Sequence, residues 1–157
     1  MAFVIFFFIS WFVIALFAVT KKSLSLSANT FVFLVVLIFS VNFTWIIVDE
    51  FEWVTVAEKA LPYTAYLLTR TIIVPFVLLL HVNFYNNAGN TSKKVIVILA
   101  AVISLLFVSV LSRSLGITEY MEWNYGYSAL YYLFLNGVAI LTSKLYKWLS
   151  RNEVSFS

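Results

Sequence analysis

Apolar residues in this chain gather into five runs that do not alternate with polar ones, and nearly every charge falls between the runs. The runs cover about residues 2–20, 31–48, 62–82, 95–111 and 127–146. Each is long enough to cross a hydrocarbon layer as a helix, which takes roughly 17–25 residues. Strands of a membrane barrel instead alternate over roughly 10 residues. The pattern therefore predicts an all-α polytopic membrane protein with five transmembrane helices in a single domain spanning residues 1–157. Lysines follow the first run (Lys21, Lys22), whereas a signal peptide carries its positive charge ahead of an apolar core of roughly 7–15 residues. The first run reads as a retained helix.

The breaks between runs have their own signals. Asn29 or Thr30 is placed to cap the second helix. Residues 49–61 form an acidic elbow in which Phe51, Trp53, Val54, Val56 and Ala57 alternate with acids. This suggests a short amphipathic piece in the headgroup region, with Trp45 and Trp53 in the interfacial aromatic belt. Pro62 opens the third helix, and Pro75 should kink it unless a neighbour takes up the freed carbonyl. Residues 83–94 form a polar turn, and 112–126 a second elbow. Glu50-Phe51-Glu52-Trp53 is faintly echoed by Glu119-Tyr120-Met121-Glu122-Trp123. One reading makes helix 1 an addition to two parallel helical hairpins; chance similarity in so biased a chain is the other.

Composition agrees with the runs: 63% hydrophobic and 11% charged, against roughly 25% charged in soluble domains. The lipid bilayer is thus the first partner of this chain. The absence of cysteine excludes disulfides, thiol catalysis and thiolate metal sites. The net charge of +3 is not read as nucleic-acid binding, because the basic residues sit at helix ends. Lys21, Lys22, Lys93, Lys94, Lys144, Lys147 and Arg151 fall on one side if five helices alternate, and six of the seven acids on the other. The positive-inside rule then predicts a multi-pass cell-membrane protein, N-terminus outside and C-terminus cytoplasmic.

Arg70 is the only charge well inside an apolar run, about 10 Å below its rim. A charge at the bilayer centre costs about 2.5–3.5 kcal/mol on insertion scales, and less near the edge. Two readings are open: Arg70 snorkels to the headgroups, or it faces the bundle and pairs with Asp49 or Glu50. Tyr63, Tyr66, Arg70, Val77 and His81 share one ideal helical face, which favours the second. Asn42, on one ideal helical face with Asp49 seven residues on, and Asn136 with Ser128 and Tyr132, read either as interhelical glue or as walls of an outward polar cavity with Arg70 and Tyr66. His81 is a lone histidine and a poor metal ligand. The acid clusters Asp49/Glu50/Glu52 and Glu119/Glu122 are expected to serve hydration and topology rather than a divalent cation, and Glu58 belongs to the first of these outer elbows. No cofactor motif, phosphate loop or catalytic triad is recognised.

Leu115-Gly116-Ile117, Tyr120-Met121-Glu122-Trp123, Tyr125, Tyr127 and the closing aromatic-basic helix, with the acidic-Trp elbow before an Arg-bearing third helix, carry a resemblance. Over about half its length the chain resembles uncharacterised small five-helix integral membrane proteins of low-GC, endospore-forming bacteria. That likeness implies architecture and little chemistry. The expected function is a non-enzymatic accessory subunit or sensor acting through its outward elbows. The alternative is a small transporter or binding protein for a cationic or amphiphilic ligand around Arg70. A lipid-modifying enzyme using the elbow carboxylates ranks third.

Overall fold

The computed structural model describes residues 1–154, with side chains described through Arg151. Glu153, which the sequence places on the basic side, lies outside those side chains. The described chain holds five helices: α1 (Ala2–Val19), α2 (Leu26–Glu50), α3 (Ala60–Asn87), α4 (Thr91–Ser114) and α5 (Tyr125–Val154). The first four are long and apolar enough to cross a membrane. Tyrosines and Asn136 dilute α5, and lysines enter it from Lys144 onward. The all-α class is as expected.

Helix limits follow local capping rather than the apolar runs alone. α2 starts at Leu26, not near 31, because the Ser25 hydroxyl accepts the Ala28 amide at 3.2 Å. Asn29, expected as a cap, instead donates to the carbonyls of Leu24 and Ser25. Asn90 caps α4 through the Lys93 amide at 2.9 Å, starting it before 95. Asn124 does the same for α5 through Tyr127, at 3.0 Å. Each cap satisfies an amide that helix geometry leaves without a partner.

Two helices carry a wide turn. At Ile46–Glu50 in α2 the Phe51 amide bonds the Ile46 carbonyl, and at Thr69–Ile73 in α3 the Val74 amide bonds that of Thr69. One extra residue per turn rotates everything beyond it by about 100° relative to an ideal helix. The faces expected from ideal spacing, Asn42 with Asp49 and Arg70 with Val77 and His81, are broken there.

The largest departure is at the elbows. Residues 51–57 do not form a separate amphipathic piece. Val54–Val56 is a strand (β1) that pairs antiparallel with Thr118–Tyr120 (β2), in the register Val54↔Tyr120, Thr55↔Glu119, Val56↔Thr118. Bonds from Ala57 to the Ile117 carbonyl (3.0 Å) and from Met121 to the Trp53 carbonyl (2.9 Å) extend the pairing. β-branched and aromatic residues suit an extended, half-buried ribbon.

α3 is the central helix and packs on all four others, while α1 packs chiefly on α3. The rest is two helix–strand–helix units, α2–β1–α3 and α4–β2–α5. The first helix of each packs against the second helix of the other. Phe6, Val32, Val36, Ile73, Leu78, Leu105 and Leu135 fill the interior. Phe7, Trp11, Ile38, Ile103, Phe107 and Leu133 face outward.

The two ends differ in charge. At one, Ser23 bonds Asn83 and Lys147 reaches Asn86 (3.2 Å), gathering the lysine-bearing loops and the end of α5. The other carries the strand pair with Asp49, Glu50, Glu52, Glu58, Glu119 and Glu122.

Candidate functional site

Beneath the strand pair, α2, α3, α4 and α5 line a partly open cavity of about 100 Å³. Val54, Thr118 and Tyr120 of the strands contribute to its wall. Its construction starts from Pro75. Proline has no amide to give, and in the wide turn the carbonyl left without a partner is that of Arg70. The Ser40 hydroxyl of α2 donates to that carbonyl at 3.1 Å, and Tyr131 of α5 donates to Ser40 at 3.3 Å. The condition set by the sequence, a neighbour supplying the missing bond, is met by a side chain from another helix.

The remaining polar groups of the wall are largely committed to one another or to the backbone. Ser109 and Tyr132 share a hydrogen bond of 2.6 Å, and Ser112 and Thr118 one of 3.0 Å. Trp123 donates its indole N–H to Ser128 at 2.8 Å, and the Tyr120 hydroxyl meets the same oxygen at 3.3 Å. Thr44 and Thr69 donate to carbonyls of their own helices. Aromatic rings connect this wall to the surface: Tyr131 stacks on Phe43 at 4.5 Å, Phe43 meets Trp123 edge-on, and Trp123 neighbours Trp53 at 6.1 Å.

Among the described residues, two buried side-chain atoms are left without a hydrogen-bond partner, the Tyr66 hydroxyl and the Arg70 Nε. Both residues line the cavity, with the Arg70 guanidinium over the Tyr66 ring at 5.1 Å. The guanidinium is thus held by a ring face rather than by the elbow acids expected to pair with it. Asp49 and Glu50 are exposed, within the wide turn that ends α2.

The site predicted from sequence is therefore assembled in part. Arg70, Tyr66 and Tyr132 meet in one cavity. Asn42 is exposed, donates to the Ile38 carbonyl at 2.8 Å, and borders an apolar groove with Phe39 and Phe134. Asn136 is buried and bonds the Tyr132 carbonyl of its own helix at 3.0 Å. Glu52, Glu58, Glu119 and Glu122 are exposed. Glu58 and Glu119 flank a surface cleft with Arg113, whose guanidinium covers Tyr120 at 5.2 Å. Among the described residues no group of three or more His, Asp or Glu could hold a metal ion. His81 is half-buried, its Nδ1 on the Val77 carbonyl.

Ser40, Ser109 and Tyr131 were missed by sequence reasoning. Pro75 was the available signal, since a mid-helix proline announces an orphan carbonyl and hence a donor on a neighbour. A second polar centre was missed at the basic end. Asn83, expected in a turn, is buried in α3. It accepts from the Ser23 and Leu24 amides (2.9 and 3.2 Å) and donates to Asn29 (2.7 Å). No family model, curated protein or solved structure matches the chain.

Proposed function

We propose that this chain is a non-enzymatic integral membrane protein with five transmembrane helices, working as an accessory subunit or sensor through the cap formed by its two elbows. Its N-terminus lies outside the cell membrane and its C-terminus in the cytoplasm. The orientation rests on the collection of lysines at one end of the bundle and carboxylates at the other. The fifth span rests on α5 being packed against α2, α3 and α4.

The observation that carries the functional reading is the strand pair. It draws two distant acidic-aromatic segments into one surface on which Phe51, Glu52, Glu119, Met121 and Glu122 are exposed. Exposed aromatic and Met side chains suit the centre of a contact with another protein, with the carboxylates at its polar rim. A transport route is less well supported. Between the cavity and the basic end the interior is filled by Ile73, Leu78, Leu105 and Leu135, and the Asn83 cluster ties that end together. Among the described residues no carboxylate lines the cavity, which leaves carboxylate catalysis there without a proton carrier.

The test is purification from native membranes in a mild detergent, beside a Glu119→Lys/Glu122→Lys variant. A stoichiometric partner present with the parent and lost with the variant is expected. If no partner accompanies the parent, the subunit reading fails.

A further inference from the structure

We propose that the cavity beneath β1 and β2 is a binding site for a small oxyanion, held by the Arg70 guanidinium and the Tyr66 hydroxyl. The site stands apart from the partner-binding reading, since the cavity is internal to one chain.

The wall carries one charge, that of Arg70, and among the described residues no carboxylate lines it; Asp49 lies exposed beyond the wall. Arg70 cannot shed its proton and is half-buried, so it is the sheltered Nε donor of the guanidinium that needs an acceptor. The Tyr66 ring offers its face to the guanidinium at 5.1 Å but gives the Nε proton no acceptor. Tyr66 itself is only 8% exposed, and its hydroxyl lies beside the Thr44 hydroxyl and the Arg70 guanidinium without a well-formed hydrogen bond to either. Two unmatched donors, one charged, therefore border the same space. The serine and threonine donors around them already serve Ser40–Arg70, Ser109–Tyr132 and Ser112–Thr118. What is missing is a group that accepts two hydrogen bonds and carries negative charge.

Size narrows the choice. A cavity of about 100 Å³ has room for about three waters, and is smaller than the roughly 150 Å³ needed to take a benzene. It admits a carboxylate- or phosphate-sized group, and since the cavity is partly open a chain attached to that group can extend out of it. Waters would satisfy the donors and leave the charge unmatched, whereas an oxyanion does both through charge-assisted bonds. The group can arrive as a free anion or as the head of an anionic amphiphile.

The full chain, purified in a neutral detergent, is titrated with inorganic phosphate and with octyl phosphate against sodium chloride at equal ionic strength. Tryptophan fluorescence (Trp123 lines the cavity) and thermal unfolding are recorded. A saturable response to at least one phosphate probe, beyond that to chloride, is expected. Inorganic phosphate alone marks a free anion; octyl phosphate alone marks a headgroup. Arg70→Gln should weaken binding by about tenfold or more, and Tyr66→Phe by about threefold, the loss of one hydrogen bond. Should Arg70→Gln not fold, Tyr66→Phe decides, because it keeps the ring under the guanidinium. A flat response to both probes, or equal affinity in the variants that fold, overturns the proposal.

Discussion

The hydroxyl of Ser40 on α2 donates to the backbone carbonyl of Arg70 on α3, the acceptor that Pro75 leaves without an amide. One side chain thus joins two helices and repairs a proline defect. Ser40→Ala is expected to destabilise the protein by about 1–2 kcal/mol, because a buried acceptor is left unpaired. In a Pro75→Ala background the new amide can supply that bond, so the cost of Ser40→Ala should fall. Unfolding of the single and double variants in detergent measures this coupling. Equal costs in both backgrounds would mean that Ser40 does not serve Pro75.

Asn83 holds the basic end together by joining Ser23, Leu24 and Asn29. Replacing it with Leu, similar in volume, leaves several buried polar groups without partners. A loss of about 3 kcal/mol is expected. Asn86→Leu, which removes an exposed bond from Lys147 and a bond to the Val82 carbonyl of its own helix, should cost less, about 1 kcal/mol or under. Denaturant midpoints compare the two.

Antiparallel partners sit about 4.5–5.5 Å apart at Cα, within reach of a disulfide. The chain has no cysteine of its own. Thr55→Cys with Glu119→Cys, directly paired, should cross-link under mild oxidation. Thr55→Cys with Glu122→Cys should not. Shifted mobility of the oxidised protein on a denaturing gel reads the outcome, and cross-linking of the second pair alone would refute the register.

Gly116 ends α4 with φ +65, while the Ile117 amide returns to the Ser112 carbonyl at 3.0 Å and the Gly116 amide to that of Arg113 at 3.1 Å. This closing turn aims β2 at β1. A Cβ at Gly116 would meet nothing within 4 Å, so the cost of Gly116→Ala is conformational, about 1–2 kcal/mol. Gly116→Asn should cost less, since Asn enters the left-handed region more readily. A thermal melt ranks the three proteins, and Asn falling below Ala would contradict this account.

Orientation is open to labelling. A membrane-impermeant maleimide added to intact cells should modify Glu122→Cys, and should reach Lys93→Cys only after permeabilisation. The reverse pattern would turn the bundle over.

Helix number and class were legible because lipid-facing runs such as residues 95–111 need no tertiary knowledge. The two charged ends were legible for the same reason: loops alternate between ends whatever the packing. The cavity was only half legible. Tyr66 and Arg70 lie one turn apart, so their meeting is local. Asn42 and Asp49 were assigned a common face that holds only for an unbroken helix, and nothing in Ile46–Glu50 announces the wide turn there. The pairing of Val54–Val56 with Thr118–Tyr120 was beyond a single sequence, since each strand is too short to read and its partner lies on another loop.

The strand pair also sets an order of assembly. β1 emerges early in synthesis, but its partner exists only once the chain has been made past Tyr120, with α4 already formed. Until then Val54–Val56 is an open strand edge, prone to pairing with other chains. The chamber around Arg70 is accordingly among the last features to form, and truncation before Thr118 would leave an arginine in the apolar layer with no roof above it.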